Sequence, residues 1–161
     1  MRPDRLQRLL TDAINHDKRL TARTYSEADY TRSAYGIIAT TPAGTPVNVQ
    51  LVGRLADGER HDHPAPPVTG TPHPDLPTPD PVEGGKLSLA RLEQYLAGLA
   101  VAAAPEETAS ISLYQDRDTP GAVRYGATIT YNNGAMAFLY VLSAGNSRHT
   151  DFAPPASITE K

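Results

Sequence analysis

The chain has 161 residues, of which 39% are apolar and 20% charged, and it contains no cysteine. Disulfide and thiolate chemistry are therefore excluded, and the apolar content suits one shared core better than two small separate ones. The net charge of −3 comes without a concentrated basic face, so we expect no nucleic-acid partner.

Residues 1–56 predict a helix followed by three strands. Asp4 is the expected helix cap, and apolar residues then recur at helical spacing on one side as far as Ile14. Residues 19–26 alternate weakly as a first strand, and residues 33–41 and 45–55 form a hairpin.

Residues 57–86 differ in composition from the rest of the chain. Eight of the fifteen prolines lie between Pro64 and Pro81. Because proline lacks the N–H that a strand or helix needs, this stretch predicts a polyproline-like linker or a meandering loop.

Residues 87–145 predict the same order of elements a second time. Ser88 is the expected cap of a helix with leucines on one face, and Pro105 follows the end of that helix. Three strands follow, and residues 146–161 are expected to form a loosely ordered tail.

A repeat relates the two halves of the chain. Residues 35–52 align with residues 125–142 at a constant offset, so that Gly36 falls on Gly126. We interpret this as an internal duplication and predict one pseudo-symmetric α+β domain. Two α-β-β-β units form one antiparallel sheet, and two helices pack on one face of it.

The hairpin turns predict the strand register. Pro42-Ala43-Gly44 and Asn132-Asn133-Gly134 suit three-residue loops that end in a left-handed glycine. This register makes one face apolar in both hairpins, which favours it over a one-residue slip. The residues on that face are Tyr35, Ile37, Ala39, Val47, Val49 and Leu51 in the first hairpin, and Tyr125, Ala127, Ile129, Ala137, Leu139 and Val141 in the second.

The opposite face distinguishes the two units. In the first unit it carries Ile38, Thr40, Asn48, Gln50 and Val52, as expected of a solvated surface. In the second unit it carries the candidate site residues Thr128, Thr130, Met136, Phe138, Tyr140 and Leu142.

A strand that is apolar on both sides is normally covered on both sides, so three explanations stay open. The proline-rich segment or the tail covers this surface, or the surface binds another protein or a second copy, or it lines a ligand groove.

Three histidines raise the question of metal binding. His61, His63 and His73 lie within one stretch together with several carboxylates. Metal ligands need rigid support, and these residues lie among prolines, so we interpret them as solvated loop histidines and expect no cofactor. A metal site formed by the three histidines is the alternative.

The order of elements resembles the tandem βαβββ plan of the vicinal-oxygen-chelate family, which includes glyoxalases and drug-resistance proteins. The chain departs from that plan because no strand precedes either helix. No His or Glu occupies matching strand positions as a metal ligand, so the activity of that family is not carried over.

These observations predict a non-catalytic cytoplasmic protein without membrane contact that binds another protein, or itself, through the second unit. Residues 1–20 lack a signal-peptide pattern, and no catalytic or phosphate-binding motif is present. An inhibitor or immunity-type partner of a toxin, or a mobile-element accessory protein, fits this profile. The alternative is a small-molecule-binding protein or metal-dependent enzyme with a groove between the units.

Overall fold

A computed structural model describes residues 1–145 and has the α+β architecture that the sequence predicts. A single-turn 3₁₀ helix over Tyr114–Asp116 follows the sixth strand. The elements in chain order are α1 (Pro3–Asp17), β1 (Thr21–Thr24), β2 (Gly36–Thr40), β3 (Pro46–Arg54), β4 (Val82–Glu83), β5 (Lys86–Leu87), α2 (Leu89–Ala103), β6 (Thr108–Leu113), β7 (Gly126–Tyr131) and β8 (Met136–Ala144).

Six strands form one antiparallel sheet in the order β1-β2-β3-β8-β7-β6, and β4 and β5 form a separate small hairpin. From one edge inward the strands are β1, β2 and β3 of the first unit, and from the other edge they are β6, β7 and β8 of the second. The third strands of the two units, β3 and β8, therefore pair at the centre. The internal duplication itself stays a prediction. The predicted tail over residues 146–161 lies outside the described residues.

Both helices pack on the same face of the sheet, and together with it they form the main core. On α1, the fully buried side chains are Leu6, Leu10 and Ile14, one turn apart as the apolar spacing predicts. The prediction that Asp4 caps this helix is wrong. The N-cap is Arg2, and Pro3 occupies the first turn, where its missing N–H costs nothing.

The second helix begins as predicted, because the Ser88 hydroxyl accepts a hydrogen bond from the Arg91 backbone N–H at 3.3 Å. Within residues 1–145, neither helix combines the length and the apolar character that crossing a bilayer requires.

The register predicted from the turns is confirmed. The Thr41 N–H donates to the Thr45 carbonyl at 3.0 Å, and the Tyr131 N–H donates to the Ala135 carbonyl at 2.9 Å. Gly134 has a φ of 85°, a left-handed conformation that a side chain would strain. The predicted inner faces are buried as well, with two exceptions: Tyr125 is half-buried, and Tyr35, which precedes β2, is 38% exposed.

The proline-rich segment is a meandering loop that packs on the helical layer. Arg19 donates to the Thr78 carbonyl at 2.6 Å, and the His73 N–H donates to the Pro105 carbonyl at 2.9 Å. Thr78 lies so close to α2 that a Cβ at Gly98 would be 2.5 Å from its methyl group. This segment therefore does not cover the opposite face of the sheet.

Candidate functional site

The outer face is the side of the sheet that is turned away from the helices. Its half in the second unit brings together all the candidate residues predicted on β7 and β8. The register pairs Phe138 with Thr128 on one side and with Val52 on the other, and it pairs Met136 with Thr130 and with Arg54. The site thus extends across the central seam of the sheet into β3.

The connection between β6 and β7, residues 114–125, covers part of this surface. Tyr114 and Val123 are 4% and 3% exposed, and they pack with Tyr140 in a second apolar cluster separate from the main core. Of the two internal covers that the sequence left open, the proline-rich segment lies on the helical layer instead, and the tail lies outside the described residues.

Tyr114 is held on the sheet by several contacts. Its hydroxyl lies 3.1 Å from the Thr128 hydroxyl, and its ring centre is 6.0 Å from that of Tyr140. The Arg117 guanidinium lies over the Tyr114 ring, 3.4 Å from the ring centre. Burial raises the pKa of the Tyr114 hydroxyl and that of the Tyr140 hydroxyl, so both side chains are uncharged near neutral pH. The cover is therefore a fixed part of the fold.

A row of side chains beside this cover stays half-buried. We call it the outer strip, and it consists of Val52, Met136, Phe138 and Leu142. The Phe138 and Tyr140 rings are nearly parallel, with centres 6.0 Å apart and planes inclined by 7°. Tyr140 is only 8% exposed, so it supports Phe138 rather than offering a surface of its own.

A cationic side chain lies at one end of the outer strip. Arg54 is opposite Met136 in the register, and its side chain is exposed. No ion pair with another residue in 1–145 engages it. The strip thus combines an aromatic and aliphatic centre with an available guanidinium at its rim.

The first unit is covered in the same way, which the sequence did not reveal. Tyr25 follows β1 directly, and its hydroxyl donates to the Asn48 side chain. Gln50 is 5% exposed and donates to the Ser33 hydroxyl at 3.1 Å, so the prediction of a solvated surface is wrong for this residue. The spacing from Tyr25 to Gly36 differs by one residue from the spacing from Tyr114 to Gly126. For this reason the alignment at constant offset did not pair the two tyrosines.

A buried carboxylate anchors the cover of the second unit. Glu93 on α2 is 1% exposed and accepts hydrogen bonds from the backbone N–H of Gly126 at 2.7 Å and of Gln115 at 3.1 Å. Burial raises the pKa of the Glu93 carboxyl above its ordinary value. In the first unit, the neutral Gln7 on α1 accepts a hydrogen bond from the Gly36 N–H at 3.2 Å. Gln7 and Glu93 are thus polar residues on the two helices that bind the two aligned glycines, and the sequence analysis did not single them out.

The histidines do not assemble into a metal site in the described part of the chain, where no three potential ligands come together. The His63 Nδ1 atom lies 2.9 Å from an Asp62 oxygen on an exposed loop, and the His73 Nδ1 atom lies 2.8 Å from the Pro74 carbonyl. A cleft of 390 Å³ near this loop includes His63, Glu59 and Arg60 in its lining, without the other two histidines.

No family model, curated protein or solved structure matches this chain. A functional assignment therefore has to come from the chemistry of the outer face.

Proposed function

We propose that this protein is non-catalytic and acts by binding another protein through the outer strip. The observation that supports this proposal is the row of half-buried apolar side chains next to the cover formed by residues 114–125. Protein interfaces combine an apolar, aromatic-rich centre with arginine, and Phe138 with Arg54 offers this combination.

Each side chain of the outer strip is only half-buried, so a partner can bury more of its apolar surface. Complete burial of a Val, Leu, Phe or Met side chain contributes roughly 1.5–3 kcal/mol, and each member of the strip still has part of this to gain. Only part of this burial free energy appears as binding affinity, because association itself has an entropic cost.

Rigidity of the strip reduces that cost. Phe138 is stacked on Tyr140, which is fixed in turn by Tyr114, so the partner meets an aromatic ring already in place. A preorganised anchor loses little conformational entropy on binding. We therefore propose Phe138 as the main anchor, with Met136 and Leu142 beside it.

We propose a biological role in the cytoplasm. The protein would act there as an inhibitor, as an immunity-type partner of a toxin, or as an accessory protein of a mobile element. The small size and the net charge of −3 support such a role, because they suit a partner with a basic binding surface.

The test is affinity capture from the native host with three versions of the protein: the wild type, Phe138→Asp and Ile38→Asp. Ile38 is a matched control because it is half-buried on the outer face of the first unit, opposite Arg23, which would accommodate the new carboxylate. We expect a protein that is captured by the wild type and by Ile38→Asp but lost with Phe138→Asp. Equal unfolding midpoints would show that all three are folded. Capture of the same protein by folded Phe138→Asp would refute the proposal.

A further inference from the structure

The two edges of the six-stranded sheet are treated differently. At β1, the side chain of Asn15 replaces a neighbouring strand, since its amide donates to the Ala22 carbonyl at 2.9 Å and its oxygen accepts from the Ala22 N–H at 2.8 Å. Glu27 accepts from the Thr24 N–H at 2.8 Å. The outward main-chain groups of β1 are therefore already occupied, which is how edge strands avoid pairing with other chains.

At β6 nothing comparable is present within the described residues. Among the described residues this strand pairs only with β7, and no loop donates or accepts a backbone hydrogen bond at its residues 109 to 113. Ala109, Ser110 and Ser112 are exposed, and Thr108–Leu113 contains neither a charge nor a proline. A register shift sets Ala109 apart from the regular ladder, which leaves residues 110–113 as a free edge.

A cleft lies beside this free edge on its helical side. It has a volume of 160 Å³, and apart from one glutamine its lining is apolar: Leu76, Pro77, Gln94, Ala97 and Leu113. A strand added to β6 would project alternate side chains toward the cleft and the others toward the outer face, beside the exposed serines. The edge therefore suits a strand that alternates apolar and small uncharged residues.

The strand β6 has this alternation itself. Ile111 and Leu113 are half-buried toward the helices, whereas Ser110 and Ser112 are exposed toward the outer face. Antiparallel pairing of two such strands about a twofold axis keeps the apolar residues of both on one side, and it brings no like charges together.

We propose that β6 pairs antiparallel with the β6 strand of a second copy of this chain, which joins two sheets into one continuous sheet. Apolar side chains of each copy then lie against the cleft of the other. Because β7 separates β6 from β8, the dimer leaves the outer strip accessible, and it stands or fails independently of the proposed function.

The test is the molar mass in solution, measured by size-exclusion chromatography with light scattering over a series of concentrations. The wild type should approach twice the chain mass of 17.3 kDa as the concentration rises. The double variant Ser110→Lys with Ser112→Lys should stay at the monomer mass, since lysines would face each other across the new ladder. Thr21→Lys, an exposed position on the closed edge, is the matched control and should dimerise normally.

Charge complementation separates pairing from a fold defect. An equal mixture of the double lysine variant with Ser110→Glu/Ser112→Glu should recover the dimer mass. A wild type that remains monomeric at every concentration would overturn the proposal. A dimer that survives both lysines and is lost with Phe138→Asp would also overturn it, by assigning self-association to the outer strip.

Hydrogen exchange of the wild type provides a second measurement that needs no variant. Those amides of residues 110–113 that point away from β7 should exchange more slowly as the concentration rises, while those of β1 should not change. Exchange at β6 that is independent of concentration would contradict pairing there.

Discussion

Replacing Tyr114 with alanine should destabilise the protein by several kcal/mol, because the ring is a buried support of the outer face. Tyr114 is 4% exposed and contacts both the Tyr140 ring and the Arg117 guanidinium. Removal of a buried aromatic side chain costs about 3–5 kcal/mol. The exposed Arg117 leaves room for partial collapse, so we expect about 3 kcal/mol, at the lower end of that range.

Two smaller changes divide this total into parts. Tyr114→Phe removes the hydroxyl, with its contact to Thr128, but keeps the ring, and it should cost about 0.5–1.5 kcal/mol. Arg117→Ala removes the cation from the ring at an exposed position and should cost about 0.5–1 kcal/mol. The larger cost expected for Tyr114→Ala reflects the loss of ring packing against Tyr140 and Val123.

Urea denaturation at neutral pH, followed by circular dichroism, measures these free energies of unfolding. Tyr35→Ala is the control, because Tyr35 is 38% exposed and its removal should change the free energy by no more than about 0.5 kcal/mol. If Tyr114→Ala costs no more than Tyr35→Ala, residues 114–125 are not a packed cover, and the description of the outer strip fails with it.

Two further predictions concern the anchors of the covers. Burial raises the pKa of Glu93, so the folded state binds its proton more tightly than the unfolded chain does, and the wild type loses stability as the pH rises through the raised value. Glu93→Gln should therefore gain stability relative to the wild type as the pH rises from the ordinary range of a glutamate carboxyl through the raised value, measured by urea denaturation; a stability difference that does not change with pH would contradict the shift. Gly36→Ala should cost about 3 kcal/mol or more in the same assay, because its Cβ would lie 2.2 Å from the Tyr25 ring and 2.6 Å from the Val49 carbonyl. A neutral effect would show that Tyr25 is free to move aside.

The parts of the fold that follow from local rules could be predicted from the sequence. Gly44 and Gly134 fixed the loop lengths, and with them which side chains of each hairpin face the helices. Periodic apolar residues placed both helices on that face. These features depend on neighbours in sequence, and for this reason spacing is enough to find them.

The covers of the outer face depend on contacts between distant residues. Residues 114–125 have no periodic pattern, and the position of Tyr114 on the sheet depends on the missing side chain of Gly126 and on the carboxylate of Glu93. Asp4 was a reasonable cap by residue type, but Pro3 moved the helix start ahead of it. The candidate residues were found by alternation, whereas their degree of exposure required the structure.

The most direct test of partner binding is the dissociation constant of the captured partner, measured by titration calorimetry with purified proteins. Phe138→Asp should weaken binding by at least about 30-fold, the effect of losing a hot-spot residue worth about 2 kcal/mol, while Ile38→Asp should leave the constant nearly unchanged. Equal constants for the wild type and for folded Phe138→Asp would contradict the assignment of the outer strip as the binding surface.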